Sequence, residues 1–432
     1  MYWGRPSDCF RGGKFAMTKF YKLTTAQRIK QLYQQGYLSQ ADCDFLETGS
    51  TLTTQTGSHL VENYIGNFSL PLGLANNFVI DQQDYLIPMV TEEPSVIAAA
   101  CNAAQRISHC GGFHTQVQRV GIQGQIVFQG QLSIDGEQFL QQQYPRLKEI
   151  ADQTHPTLRQ HGGGLKNITI QKYDDFVEFD LLIDSAEAMG ANIVNTILEA
   201  EAHYLQQQLP QLQLLMAILS NHNPQQLAQA QVKVKVSELA TEQWDGLQVA
   251  QRMVAASRFA QISRTRAATH NKGIMNGIIA VALATGNDTR NLNAAIYSFL
   301  NEQHPLLTKW QLQGQKLIGT IKVPLPLGSV GGAISTLPSA QLALRILRRP
   351  NAEQLMGIIA SVGLASNLSA LRALVTTGIQ AGHMNLQWQS LALMAGAQAE
   401  EITPLVSYLK KYPQKANLAA VKLKLQQLRK EK

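Results

Sequence analysis

The chain has 432 residues, with 37 Lys and Arg against 30 Asp and Glu, a net charge of +7. That length allows two or three domains of about 150 residues each, and 45% hydrophobic with 16% charged residues excludes a disordered polymer. Four cysteines, Cys9, Cys43, Cys101 and Cys110, are too few for a disulfide framework and lack zinc-site spacing, which fits a reducing cytoplasm.

Residues 1–16 carry no helical or strand period and no apolar signal-peptide segment; they are expected to be a disordered extension ahead of Met17. Residues 24–46 are predicted as two short helices, capped at Thr24 or Thr25 and at Ser39 and separated by Gly36. A loop-rich stretch follows. A helix is then predicted from about Thr91, with Pro94 in its first turn, where no N–H is needed. From about 117 to 219 the period changes. Alternating segments at Gln116–Val120, Gln125–Phe128, Asn167–Tyr173 and Phe176–Ile183 surround a helix over Gly136–Ala151, with another from about Glu187. Asp174-Asp175 is predicted as a hairpin turn. These features describe a small α+β sandwich inserted into a larger domain. A strand at Val232–Val236, helices over Glu242–Ile262 and Asn271–Thr285, a helix begun by Asp288 and a strand at Lys316–Val323 follow, and helices dominate from Pro338 onward.

The apolar run Leu355–Leu371 is interrupted by Ser and Asn, which argues against a membrane span. Lys410–Lys432 holds eight Lys or Arg and one Glu, so the remaining residues sum to zero. A diffuse nucleic-acid surface is thereby excluded for most of the chain. The basic tail is predicted as a helix with Leu418, Val421, Leu425 and Leu428 on one face. Its charge is either a solvated helix face or an attraction for a polyanionic ligand.

No G-x-G-x-x-G follows a predicted strand, no phosphate-loop motif occurs, and the ten histidines show no metal spacing. Four segments are unusual: P-M-V-T-E-E-P-S-V (88–96), R-T-R-A-A-T-H-N-K-G-I-M-N-G (264–277), A-T-G-N-D (284–288) and A-G-H-M-N-L (381–386). Each has a plain structural reading. Acids at a helix N-terminus complement its dipole, and Asp288 can serve as a cap. Lys272 is the exception, a cation at the expected start of a helix, where the dipole disfavours it.

Together and in this order, these segments resemble class II hydroxymethylglutaryl-CoA reductase, the bacterial and archaeal type. Further matching blocks are E-N-Y-I-G (62–66), A-M-G-A-N-I-V-N-T (188–196) and S-V-G-G-A (329–333). The resemblance implies an α+β fold without a Rossmann sheet. A large, mainly helical domain (17–116 and 220–377) would bind substrate and dimerise. An inserted ferredoxin-like domain (117–219) would bind the dinucleotide, and a C-terminal flap (378–432) would close over the site on a hinge near Gly382.

It implies reduction of hydroxymethylglutaryl-CoA to mevalonate and CoA in a cytoplasmic homodimer or higher oligomer, with no metal, nucleic acid or membrane involved. Glu93, Lys272, Asp288 and His383 match the catalytic positions. Lys272 would stabilise the oxyanion, and His383 would protonate the departing thiolate. Glu93 would donate a proton to the aldehyde oxygen, with burial keeping it protonated. Asp288 would hold Lys272 charged and tune Glu93. Ser95 and Arg266 match carboxylate-binding positions, Asn276 matches a polar contact to the reacting end, and Lys22 matches a position that meets CoA phosphate. Glu187, Met189, Gly190, Ala191 and Asn192 match the cofactor segment, with Glu187 standing where the family usually has Asp. Ile279, Thr289 and Gln387 also depart from the usual residues without removing a catalytic group. His155 occupies the position where NADH-preferring relatives carry an acid. Its lack of negative charge, with Arg159 nearby in sequence, favours NADPH over NADH. The rival readings are a catalytically weak paralogue that binds CoA ligands and another acyl-CoA oxidoreductase.

Overall fold

The computed structural model describes residues 20–49 and 51–430, with the side chains of 379–386 outside that description. The expected extension 1–16 lies outside the described residues.

Two compact units divide the chain, 1–50 and 51–432. In the first, α1 (Thr25–Gln34) and α2 (Gln40–Glu47) start where expected, because Thr24 and Ser39 each complete a reciprocal capping box with Gln27 and Asp42. Gly36 supplies the left-handed residue between them, at φ 76°. Arg28 donates to the carbonyls of Phe20 and Tyr21, which fixes the short turn bearing the exposed Lys22.

The second unit begins with α3 (Thr54–Leu60) and a hairpin, β1 (Leu72–Ile80) and β2 (Gln83–Val90), where the sequence suggested only loop. Four consecutive residues of β2, Leu86–Met89, are buried, so the strand shows no alternation to read. Its turn carries positive φ at both Asp81 and Gln82, the geometry that matches strand twist. Helix α4 (Val96–Ser108) starts five residues later than the expected Thr91, because Ser95 takes φ +75° and breaks the helical path before it.

Strand β3 (His114–Arg119) leads directly into β4 (Ile122–Gln129), α5 (Gly136–Thr154), α6 (Pro156–Gln160), β5 (Gly164–Tyr173), β6 (Phe176–Asp184), α7 (Ala191–Gln208) and β7 (Gln213–Leu219). The antiparallel sheet runs β5-β6-β4-β7. That order, on a βαββαβ path, is ferredoxin-like. Asp174 turns the β5–β6 hairpin at φ 39°. Strand β7 escaped the sequence reading because Leu215, Met216 and Ile218 are exposed rather than alternating with polar residues.

The core of this part contains Phe128, Phe139 and Phe179 in edge-on contact. It also encloses Glu201 of α7, whose carboxyl oxygens have no hydrogen-bond partner among the described residues. Burial pushes its pKa well above the usual carboxylate range. Between the unfolded and folded pKa values the native state holds the extra proton, so stability falls as pH rises through that window. Glu201→Leu should therefore stabilise the protein by about 1–3 kcal/mol. Urea unfolding at pH 5 and pH 8 checks this, with a larger gain expected at pH 8.

The chain then forms β8 (Gln226–Lys235), α8 (Gly246–Ile262), α9 (Arg264–Ala284), α10 (Thr289–Phe299), β9 (Thr308–Gln313), β10 (Lys316–Pro324), α11 (Gly332–Thr336), α12 (Pro338–Ile346) and α13 (Ala352–Val375). A second antiparallel sheet runs β3-β8-β10-β9. Arg119 and Gln226 face each other across β3 and β8, so the ferredoxin-like excursion leaves and re-enters this sheet at one place. Helix α13 is long and apolar enough to cross a membrane, yet most of it is buried inside the protein. It packs on α4, α8, α9 and the sheet as the central helix of the larger core. A Cβ on Gly277 would stand 2.4 Å from Ser366 Oγ, so glycine permits the close crossing of α9 and α13.

The chain ends in α14 (Ile379–Met394), α15 (Ala399–Lys411) and α16 (Leu418–Lys430). They share a separate apolar cluster containing Trp388, Leu405, Leu409, Val421 and Leu425. Arg429 clamps Glu401 at 2.7 and 2.8 Å. The expected apolar face of the tail thus docks on α14 and α15, while Lys424 lies over the Tyr408 ring. Gly382, near which the sequence suggested a hinge, lies inside α14. The break falls earlier, at Thr376–Gly378, where Gly378 takes φ +81°.

Candidate active site

Helix α9 packs against β2, and this contact brings two distant segments together. Glu93 follows β2 by three residues, and its N–H is held by Thr91 Oγ1 at 3.1 Å. Its carboxylate accepts from Lys272 Nζ at 2.9 Å. The two side chains are 43% and 62% exposed, so this chain by itself does not supply the burial that the sequence reading invoked for Glu93.

Lys272 is not at a helix start. Ser263 caps α9 through the Arg266 N–H, which places Lys272 two turns inside the helix. The dipole argument for its oddity therefore falls away. What distinguishes Lys272 is an exposed ammonium directed at a carboxylate from a distant segment.

Asn276 lies one turn beyond Lys272 on the same face of α9, and both Asn276 and Arg266 are partly exposed. Arg266 sits about 9 Å before Lys272 along the axis. On the buried side, His270 Nε2 meets Thr308 Oγ1 at 2.7 Å, and Thr308 and Trp310 both donate to Asn367 Oδ1. Burial, with Arg266 nearby, lowers the His270 pKa to about 4, so the imidazole is neutral near pH 7 and serves packing.

Asp288 caps α10 by accepting from the Arg290 and Asn291 N–H groups. Its carboxylate also pairs with the Arg290 guanidinium at 3.0 and 3.1 Å. These hydrogen bonds hold its pKa below the usual carboxylate range. The structure thus joins Glu93 with Lys272, and Asp288 with Arg290. Ser95 occupies the left-handed position ahead of α4, two residues from Glu93. His383 lies in α14, and its side chain is outside the described residues. Lys22 belongs to the first compact unit.

The A-M-G-A-N segment forms a tight turn ahead of α7. Gly190 takes φ +94°, and a Cβ there would stand 2.4 Å from Ser185 Cβ. Glycine is therefore required by the turn itself. No side chain caps α7, which leaves the first N–H groups of Ala191 and Asn192 without a capping acceptor. An uncapped N-terminus after such a turn suits a diphosphate. Glu187 directs its carboxylate away from this helix end, to Ser329 Oγ at 2.6 Å and the Ala352 N–H at 2.7 Å. Met189 is partly buried in the turn.

His155 links α5 to α6, and its Nε2 is buried without a hydrogen-bond partner among the described residues. Close by in the chain, a cavity of about 300 Å³ is lined by Lys148, Asp152, Arg159, Gly162, Gly163 and Lys166. Asp152 lies 3.6 Å from Arg159, and Lys166 reaches Asp184 at 3.2 Å, two residues before the turn. Lys148 and Lys166 had no signal in the sequence, since α5 and β5 are separated there by α6. Among the described residues, no group of three His, Cys, Asp or Glu side chains could hold a metal ion.

Two solved structures resemble this fold. The 3-hydroxy-3-methylglutaryl-coenzyme A reductase from Streptococcus pneumoniae superposes with TM-score 0.78 at 37% identity, covering 95% of this chain and 99% of that one. A structure of the class II enzyme from the same organism, bound to NADPH in open conformations, also gives 0.78, at 35% identity over 83% and 99% of the two chains. The fold and these likenesses define an α+β oxidoreductase without a Rossmann sheet. The family model for Hydroxymethylglutaryl-coenzyme A reductase matches residues 24–388. The 3-hydroxy-3-methylglutaryl-coenzyme A reductase of Archaeoglobus fulgidus is 38% identical over 397 residues, 90% of this chain and 89% of the relative. A probable reductase of the same name from Borreliella burgdorferi is 31% identical over 84% and 83% of the two chains. The chain belongs to the hydroxymethylglutaryl-CoA reductase family.

Proposed function

We propose that this protein reduces (S)-3-hydroxy-3-methylglutaryl-CoA to (R)-mevalonate and CoA through a hemithioacetal and mevaldehyde, consuming two molecules of NADPH. The observation that carries the reading is the Lys272–Glu93 pair, 2.9 Å apart and open to a ligand, in a chain of this family. When bound, the nicotinamide supplies a hydride to each of two successive carbonyl carbons. The Lys272 ammonium stabilises the oxygen that gains charge at each stage. His383 protonates the thiolate when the hemithioacetal collapses. Glu93, in its protonated form, delivers the proton to the aldehyde oxygen and is left as a carboxylate paired with the Lys272 ammonium. Asp288, paired with Arg290 in the single chain, tunes Glu93 and Lys272 once it releases that partner.

Ser95 and Arg266 bind the substrate's free carboxylate, Arg266 as a bidentate fork, while Asn276 contacts the reacting end and Lys22 the CoA phosphate. The division into residues 17–116 with 220–377, 117–219 and 378–432 assigns these tasks to a substrate half, a dinucleotide unit and a flap. A second subunit supplies the burial that Glu93 lacks in the single chain, so the working form is a homodimer in the cytoplasm. Incubation with hydroxymethylglutaryl-CoA and NADPH, with mevalonate identified by mass spectrometry, tests the whole reading. NADPH oxidation without mevalonate would point to another acyl-CoA oxidoreductase. Binding of the CoA thioester without any oxidation would point to a catalytically weak paralogue.

The preference for NADPH is supported by the cavity lined by Lys148, Arg159 and Lys166, whose cations suit a 2′-phosphate. The turn at Gly190 and the open start of α7 take the diphosphate, with Ala191 and Asn192 donating and Met189 lining the turn. Glu187 anchors the turn from behind. Steady-state kinetics with both nucleotides should give kcat/KM for NADPH at least tenfold above that for NADH. Arg159→Glu should erase most of the difference by raising KM for NADPH alone. A higher kcat/KM for NADH in the parent would overturn the preference.

A further inference from the structure

Arg119 stands at the point where the chain leaves the larger sheet for the ferredoxin-like excursion, and no sequence motif draws attention to it. Its partly buried guanidinium makes five hydrogen bonds. Nε and Nη2 donate to Ala186 O at 3.1 and 2.6 Å, and Nη2 also donates to Ala188 O at 2.7 Å. Nη1 donates to Leu327 O at 2.9 Å and Gln226 Oε1 at 3.3 Å. Two of the acceptors lie in the turn that precedes α7, and a third belongs to the segment after β10.

That segment is itself fixed to the start of α10. Asn287 Oδ1 accepts from Gly328 N at 2.9 Å, and Asn291 Nδ2 donates to Pro326 O at 2.9 Å, on either side of Asp288 in the chain. From the other direction, Ser329 N donates to Glu187 O at 2.9 Å, and Ala188 forms a bridge with Val330. The turn also needs outside support. Ala186 sits at φ +51°, a strained value for a residue with a side chain. Within the turn, Ser185 Oγ donates to Ala188 O at 2.7 Å, the same carbonyl that Arg119 holds.

We propose that Arg119 is a positioning residue that sets the 186–190 turn, and with it the bound dinucleotide, at a fixed distance from the Asp288 end of the substrate half. The inference rests on the reading of this turn as the dinucleotide site. Arginine suits the task because a planar fork can serve carbonyls from two segments at once. A lysine ammonium in the same place serves fewer of them in a less defined geometry.

Arg119→Lys should raise both the KM and the directly measured Kd for NADPH about tenfold. Kd for hydroxymethylglutaryl-CoA, measured by calorimetry, should stay within about twofold. Hydrogen exchange of the 186–190 amides in the ligand-free protein should quicken in the same variant, a readout independent of turnover. Ser185→Ala, which loosens the same carbonyl, should act in the same direction to a smaller extent and keeps the test open if Arg119→Lys does not fold. Equal weakening of both ligands would mark Arg119 as a general fold support and overturn the proposal. Unchanged NADPH affinity with unchanged exchange would overturn it as well. If the parent protein binds no NADPH, the dinucleotide reading fails and takes the proposal with it; if the parent binds NADPH and the variants match it, only the positioning role fails.

Discussion

Lys272→Ala should lower kcat/KM for hydroxymethylglutaryl-CoA by about a thousandfold or more while leaving thermal stability nearly unchanged. The two halves of this expectation have separate causes. Removing one preorganised charge from the position of a developing oxyanion costs about 10²–10³ in rate. Two successive carbonyl reductions depend on the same ammonium, which places the effect at or beyond the upper end. Stability is a different matter. The Lys272–Glu93 pair is largely open to solvent, and such pairs contribute about 0–1 kcal/mol. For a protein of this size that corresponds to a shift of no more than about 2–4 °C. Coupled assays of NADPH oxidation, run beside a calorimetric scan, check both. A variant that loses stability and activity together would show that the pair is structural, and a variant that keeps its rate would remove Lys272 from the mechanism.

Deletion of residues 378–432 should abolish reduction and leave the rest of the chain folded. The cut falls at the backbone break around Thr376–Gly378 rather than inside a helix. Beyond it, α14, α15 and α16 gather around their own apolar cluster, distinct from the cluster built on α13 and the larger sheet. Few buried contacts of the larger core are lost, so its cooperative unfolding should persist. The deletion removes His383 and the helices that would exclude water during closure. Turnover by the truncated protein at the parent rate would refute both roles. Retained circular dichroism with no turnover is the expected result, and binding of the CoA thioester by the truncated protein would confirm that its substrate half survives.

Much of the small unit is legible in the sequence. Asn167–Gln171 and Phe179–Ile183 alternate between more and less buried positions, and the Asp174-Asp175 turn announces a hairpin, whereas Ile126–Phe128 of β4 are buried in succession. The caps of α1, α2 and α10 were equally plain, because Thr24, Ser39 and Asp288 sit directly before helical patterns. Strand β2 was not legible, since a run such as Leu86–Met89, buried on both faces, carries no period. The start of α9 was missed for a related reason. Arg264–Thr269 is polar and exposed on much of its surface, and only the Ser263 cap marks it as helical.

Order and spacing of motifs in the sequence were enough to gather Glu93, Lys272, Asp288 and His383 as one candidate set and to give the family, because chemistry constrains residue types at a site more tightly than it constrains the scaffold. Pairings were beyond its reach. That Lys272 bonds to Glu93, that Glu187 turns toward Ser329 and α13, and that Arg119 holds the turn at 186–190 all depend on contacts between residues 67 to 179 positions apart. Such contacts are set by how helices and sheets pack, and packing is a property of the whole chain that no local pattern encodes.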